Sequence, residues 1–129
     1  MNTVQILGNL TRDPEVRYTQ SGKAVATFNV AASNTFTSSD GEMKEQTAFI
    51  NCVAWGKLGE AVGNYRKGNR LFVEGRIHTR SYEDSNGQKK YVTEVIAGFV
   101  GVSALNDMAT ESNFENFADD KGNDENVPF

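Results

Sequence analysis

The segment QTAFINCVAWGKLGEAVGNYRKGNRLFVEG, residues 46–75, changes its hydrophobic period twice. From 46 to 56 it alternates: Ala48, Ile50, Cys52 and Ala54 share one face, Phe49, Asn51, Val53 and Trp55 the other. That is the period of a strand, and the small apolar set suits the interior of a tight barrel. From 57 to 68 the spacing becomes helical, with Leu58, Ala61, Val62 and Tyr65 on one stripe and Gly68 placed to stop it. Gly59 and Gly63 lower helix propensity there, so packing must hold the helix. From 70 to 82, RLFVEGRIHTRSY, alternation returns. Leu71, Val73, Gly75, Ile77 and Thr79 lie opposite Phe72, Glu74, Arg76, His78, Arg80 and Tyr82.

Working outward, the same alternation predicts two strands upstream, TVQILGNL (3–10) and AVATFNVAAS (24–33). KKYVTEVIAGFVGVSAL (89–105) is a fifth strand, with Gly98 and Gly101 placed for bends or bulges. QSG (20–22), SSDGE (38–42) and EDSNGQ (83–88) separate them, and Asn86-Gly87 is the strongest hairpin signal. Three strands, a helix and two strands, all short and glycine-bent, predict an all-β OB-fold. It is a five-stranded antiparallel barrel with one short helix between strands three and four.

Charge divides the chain. Residues 1–106 hold 12 Lys/Arg and 10 Asp/Glu, and residues 107–129 hold 1 Lys and 7 Asp/Glu. A mildly basic body, the barrel over 1–106, therefore precedes an acidic stretch over 107–129. That stretch has no sustained period and too little apolar surface to fold, and it reads as a disordered tail. No run is apolar enough for a membrane helix, and the start lacks the basic and apolar regions of a secretory signal. The single cysteine, Cys52, can form no internal disulfide and reads as a small buried core residue. A cytoplasmic address is expected.

Catalysis finds little support. There is no CxxC, HExxH or phosphate-loop pattern, and the acidic pairs Glu42/Glu45 and Glu83/Asp84 sit in loop-like segments as solvated charges. No metal, cofactor or enzymatic activity is expected. The aromatic residues say more. Phe36, Phe49, Trp55 and Tyr82 are interleaved with Lys44, Lys57, Arg80 and the 89–91 KKY return. Rings can stack on any base and cations neutralise phosphates, the two requirements of a sequence-tolerant single-strand binder. Phe28, Phe72 and Phe99 read as ordinary core. For Phe49 the pattern alone leaves core and surface equally open.

Four segments in order resemble the bacterial-type single-stranded DNA-binding protein family: ILGNLTRDPEVRYTQSGKAVATFNVA, GEMKEQTAFINCVAWGKLGE, RLFVEGRIHTRSYEDSNGQKKYVTEV and the ending NVPF. The resemblance implies base stacking at Phe36, Phe49, Trp55 and Tyr82, and phosphate contacts at Arg17, Lys44, Lys57, Arg66 and Arg80. It implies a homotetramer, with Ile50 where many members place an interface histidine. It also implies a C-terminal docking peptide, here Asp124, Glu125, Val127, Pro128 and Phe129, for replication, recombination and repair proteins. Departures are visible. Phe36, Phe49 and Tyr82 stand where tryptophan is common. Asn2, Thr3 and Gln5 replace basic residues before the first strand, and Ser81 lacks the usual cation. Asn126 and Val127 soften the tip, so weaker docking is expected. An OB-fold adaptor of primosome type and a small nuclease are the rivals. The acidic tail argues against the first, the missing carboxylate or histidine cluster against the second.

Overall fold

The computed structural model describes residues 1–102. The last residues of the expected barrel segment, the acidic stretch and the docking peptide lie outside the described residues. Six strands and one helix follow in order: β1 (Val4–Leu10), β2 (Glu15–Tyr18), β3 (Ala24–Thr37), β4 (Met43–Trp55), α1 (Gly56–Val62), β5 (Arg70–Glu83) and β6 (Lys89–Val102). Five strands close a barrel. β1 pairs with both β3 and β5, β5 with β6, and β3 with β4, all antiparallel, and the seam between β4 and β6 is parallel at Cys52↔Val95 and Val53↔Ile96. The OB-fold expected from the order of elements is present, with that one parallel seam in place of an all-antiparallel barrel.

The alternating residues fill the interior. Ile6, Leu10, Ala26, Phe28, Val30, Cys52, Ala54, Leu71 and Val73 are buried, and Val62 of α1 closes the core with Val95, Ala97 and Val100. Ile50, Leu58 and Tyr65 pack against its margin. Small residues at Ala26 and Ala54 suit a narrow barrel, in which each added methylene would force strain.

Four expectations are corrected. First, β2 was not foreseen. It has four residues, only Val16 is part-buried, and it adds to the edge of β3. The helix therefore falls between the fourth and fifth strands. Second, α1 ends at Val62, not near Gly68. Gly59 is buried where the helix crosses β4, and a Cβ there would lie 2.5 Å from the Ala54 carbonyl oxygen. Beyond Gly63 the chain must turn to reach β1: the Gly68 amide donates to Leu10 O and the Leu10 amide to Asn69 O. Ala61 points to solvent.

Third, β3 and β4 run on beyond the barrel as a two-stranded arm. The strands expected over 24–33 and 46–56 extend to Thr37 and back to Met43, leaving only the expected 38–42 segment as the connection, and Phe36 pairs directly with Lys44. Thr35, Phe36 and Thr37 have high strand propensity, and Ser33 and Thr47 join hydroxyls across the arm at 2.8 Å. Fourth, Phe99 is not core, being 55% exposed, and Phe72 is only half-buried. Glu74 pairs with Phe99 but Gly75 with Ala97, which leaves Gly98 as an extra residue in β6. This bulge shifts the pleat by one residue. Before it Val95 and Ala97 face inward, after it Val100 does, and Phe99 is turned out. The bulge at Gly98 was expected; its effect on Phe99 was not. Gly101 lies in regular pairing, where a Cβ would be 3.1 Å from the Phe99 ring.

The hairpin turns share one construction. In residues 19–23, 38–42 and 84–88 the first amide donates to the fifth carbonyl, the fourth amide returns to the first carbonyl, and the fourth residue is a glycine with φ near +80° (85°, 84° and 77°). Each is a turn closed by a left-handed glycine, and at Gly87 this is the positive φ that the Asn86-Gly87 signal calls for. At 84–88 the Asp84 carboxylate also accepts from the Asn86 and Gln88 amides, both at 2.9 Å.

Candidate nucleic-acid interface

Direct cross-strand partners share a face, so the register of β3 with β4 assembles the site. One row runs Arg17–Val25–Trp55 across β2, β3 and β4, and further rows hold Thr27 with Val53, Asn29 with Asn51, and Ala31 with Phe49. This outer face carries Phe49 and Trp55, 69% and 42% exposed, on one strand with Asn51 between them. Pattern alone left Phe49 open; it is one of the most exposed rings in the barrel. Trp55 ends β4 and leads into α1, and Lys23 Nζ sits 5.4 Å from its ring centroid, a cation–π contact that fixes one side of the indole.

Tyr82 lies near the end of the β5–β6 hairpin, opposite Lys90, and is 48% exposed. Arg80, on the same pleat, donates from Nε to Glu94 Oε1 at 3.1 Å. The buried Glu94 carboxylate also receives His78 Nδ1 at 3.4 Å, so the lone histidine has a structural partner. Phe36 is 46% exposed, but pleat parity puts Phe36 and Lys44 on the face of the arm opposite to Phe49 and Trp55. The four rings therefore do not form one flat platform. A strand touching all of them would have to leave the face that carries Phe49 and Trp55.

The cations differ in what they already hold. Arg17 lies beside Glu15 at 2.7 Å, an exposed pair that is easily exchanged for a phosphate. Lys44 and Lys57 are exposed. Arg66 instead donates to the carbonyls of Gly63 and Tyr65 at 3.0 and 2.9 Å, closing the turn after α1. Its guanidinium is engaged with the chain's own backbone. Of the residues named from sequence, the structure brings Arg17, Phe49 and Trp55 onto one face, sets Arg80 and Tyr82 on the hairpin, and puts Phe36 with Lys44 on the arm.

Several residues went unnamed in the sequence. Lys23 reaches Trp55 only through the Val25↔Trp55 register, which no local pattern reveals. Tyr91, already noted with Lys89 in the KKY return, is 75% exposed, with Lys89 Nζ 5.6 Å over its ring, and lies on the other face of the hairpin from Tyr82. Between Phe49 and Trp55 runs a polar ladder: Thr11 Oγ1 donates to Asn29 Oδ1, and Asn29 Nδ2 donates to Asn51 Oδ1, both at 2.9 Å. Among the described residues no group of three or more His, Cys, Asp or Glu is placed to hold a metal. Cys52 is walled in, and burial pushes its thiol up to about 12, which keeps it un-ionised at neutral pH.

A closed barrel with exposed rings and cations on one face and a hairpin beside it is the build of an oligonucleotide-binding barrel. The sequence profile of the Single-strand binding protein family matches residues 1–103, and the chain belongs to that family. It is 44% identical over 130 residues to "Single-stranded DNA-binding protein 2" of Listeria monocytogenes, covering 97% of this chain and 80% of the relative. It is 49% identical over 98 residues to "Single-stranded DNA-binding protein A" of Bacillus subtilis, covering 75% of this chain but only 56% of the relative. Among solved structures, the Plasmodium falciparum SSB complex with ssDNA superposes with a TM-score of 0.73 at 26% identity, covering 80% of this chain and 95% of that one. A deletion mutant of the single-stranded DNA binding protein from Thermus aquaticus superposes with a TM-score of 0.72 at 34% identity, covering 80% of this chain and 50% of that one. Among the described residues, no helix is long and apolar enough to cross a membrane.

Proposed function

We propose that this chain is a sequence-nonspecific single-stranded DNA-binding protein that coats and protects exposed strands in replication, recombination and repair. The observation that carries the reading is the exposure of Phe36, Phe49, Trp55 and Tyr82 around a barrel whose interior is already full. Large rings held in water serve no packing purpose there, and each offers a base a face worth roughly 1–3 kcal/mol. Arg17, Lys44, Lys57 and Arg80 supply charge along the path, with Lys23 beside Trp55. The protein binds and does no chemistry on the strand. The test is incubation with labelled oligo-dT with and without magnesium. A mobility shift without cleavage is expected; magnesium-dependent cleavage by the pure protein would overturn the reading.

The working unit in this reading is a homotetramer. Two apolar surfaces support it. Leu7, Phe72 and Phe99 make an outer patch on β1, β5 and β6, with the two phenylalanine rings edge-to-face at 6.3 Å. Val4, Ile50 and Ile77, lying over the buried Ile6 and Val95 and beside Thr93 and Glu94, line a separate groove of about 200 Å³. Contiguous apolar patches outside a filled core are the mark of protein contacts, and two of them per chain allow a closed four-copy assembly. Recruitment of partners through Asp124, Glu125, Val127, Pro128 and Phe129, and a cytoplasmic location, complete the proposal.

A further inference from the structure

The polar ladder beneath the stacking path has a direction, and the direction has a consequence for base choice. Thr11 and Asn29 donate to Asn29 Oδ1 and Asn51 Oδ1 respectively, so the last member, Asn51, accepts through its oxygen, and its exposed side chain makes no N–H bond to any described residue. Asn29 is buried, and it holds the Asn51 amide by that oxygen. Asn51 lies two residues from Phe49 on the same strand face, about 7 Å along the strand. It also borders a groove of about 180 Å³ between the barrel wall and the β5–β6 hairpin, room enough for one nucleobase. The floor is apolar, with Cys52, Val53 and Val92, and the rim carries Arg12 and Arg80. The one carboxylate on the lining, Glu94, is buried, and Arg80 and His78 both lie on its Oε1.

We infer that this groove is a base-edge subsite in which Asn51, with Arg12 and Arg80, presents hydrogen-bond donors and so favours bases bearing oxo groups over bases bearing exocyclic amino groups. Stacking on Phe49 and Trp55 is indifferent to that distinction, since every base has a π-face. Donors on three sides are not. Uracil and thymine offer acceptors at both exocyclic positions, whereas the 4-amino group of cytosine meets a like donor. The inference rests on the proposed single-strand binding and names a residue that tunes it.

The test compares oligo-dU with oligo-dC of equal length, two ligands of similar size that differ at the 4-position. Affinities are measured at one salt concentration for the unaltered chain, Asn51→Asp and Asn51→Ala. Asn51→Asp keeps an oxygen for Asn29 Nδ2 and replaces only the N–H groups, so the ladder stays intact. The unaltered chain is expected to prefer oligo-dU by roughly two- to tenfold per subsite, the worth of about one hydrogen bond. Asn51→Asp is expected to remove or invert that preference, and Asn51→Ala to reduce it. The ratio is the readout, because added negative charge or a loosened strand weakens both ligands together. A ratio equal in all three proteins, with both oligonucleotides bound, overturns the subsite and leaves the stacking path standing. Failure of the unaltered chain to bind either oligonucleotide overturns both.

Discussion

At Trp55 the packing and the proposed function meet in one side chain. The ring is 42% exposed, has Lys23 on one side, and ends the strand that carries Phe49 and Asn51. Replacing Trp55 or Tyr82 with alanine should weaken oligo-dT binding by about 1–3 kcal/mol for each base left unstacked, with the circular dichroism of the barrel unchanged. Unaltered affinity in both variants would count against stacking. Cys52 makes the opposite kind of prediction, one about stability alone. Burial raises its thiol from 9.0 to about 12, so the folded state favours the protonated form. Its contribution is fully present below the thiol's ordinary range and is lost as pH climbs from about 9 toward 12, by at most about 1.4 kcal/mol per pH unit. Urea unfolding between pH 8 and 11 should show this slope, and Cys52→Ala should flatten it relative to the unaltered chain (pH values roughly spanning the ordinary thiol range). Alkylating reagents should not reach Cys52 unless the barrel opens.

Elements were legible in sequence where alternation was long and unbroken. β1, the barrel part of β3, β4 and β5 all follow period two, but of the set expected inside β4 only Cys52 and Ala54 are buried: Ile50 lies at the margin, Ala48 is exposed where the arm begins, and Val53 of the other face is buried. What stayed hidden was set by partners far along the chain. β2 is too short to show a period, and it exists because β3 offers it an edge. The arm of β3 and β4 is polar, so nothing in its hydropathy separates it from a loop; pairing from Ala31↔Phe49 out to Thr37↔Met43 makes it a ribbon. Phe99 was misjudged because one inserted glycine reverses the inside and outside of the rest of β6. The same junction gives a test. Gly75 sits at the register shift, and a Cβ there would lie 2.1 Å from the Ile96 carbonyl oxygen. Since backbone cannot yield as a flexible side chain can, Gly75→Ala should destabilise the barrel by about 1–3 kcal/mol or more. A lowered urea midpoint is expected; an unchanged one would mean that the β5–β6 ladder tolerates a shift.

For the whole molecule, the candidate site was legible as residue types and obscure as a path. Interleaved rings and cations pointed to a single-strand binder, but only the fold shows that Phe36 with Lys44 faces away from Phe49 and Trp55, and that Arg66 is spent on its own backbone. The path proposed for the strand, which takes in more than one face, fits the proposed assembly of several copies. Light scattering should give four times the 14.2 kDa chain mass, and Phe99→Glu should lower it by placing a charge in the Leu7–Phe72–Phe99 patch. A monomer mass for the unaltered chain would refute the tetramer. Affinity should also fall with salt, with a log–log slope near −0.7 for each phosphate contacted. The most direct measurement uses the fact that Trp55 is the only tryptophan in the sequence. Its fluorescence, titrated with oligo-dT at fixed salt and again with a duplex of equal length, should be strongly quenched by the single strand and little by the duplex. Saturable binding of oligo-dT with no change in Trp55 emission would contradict base stacking at the heart of the site.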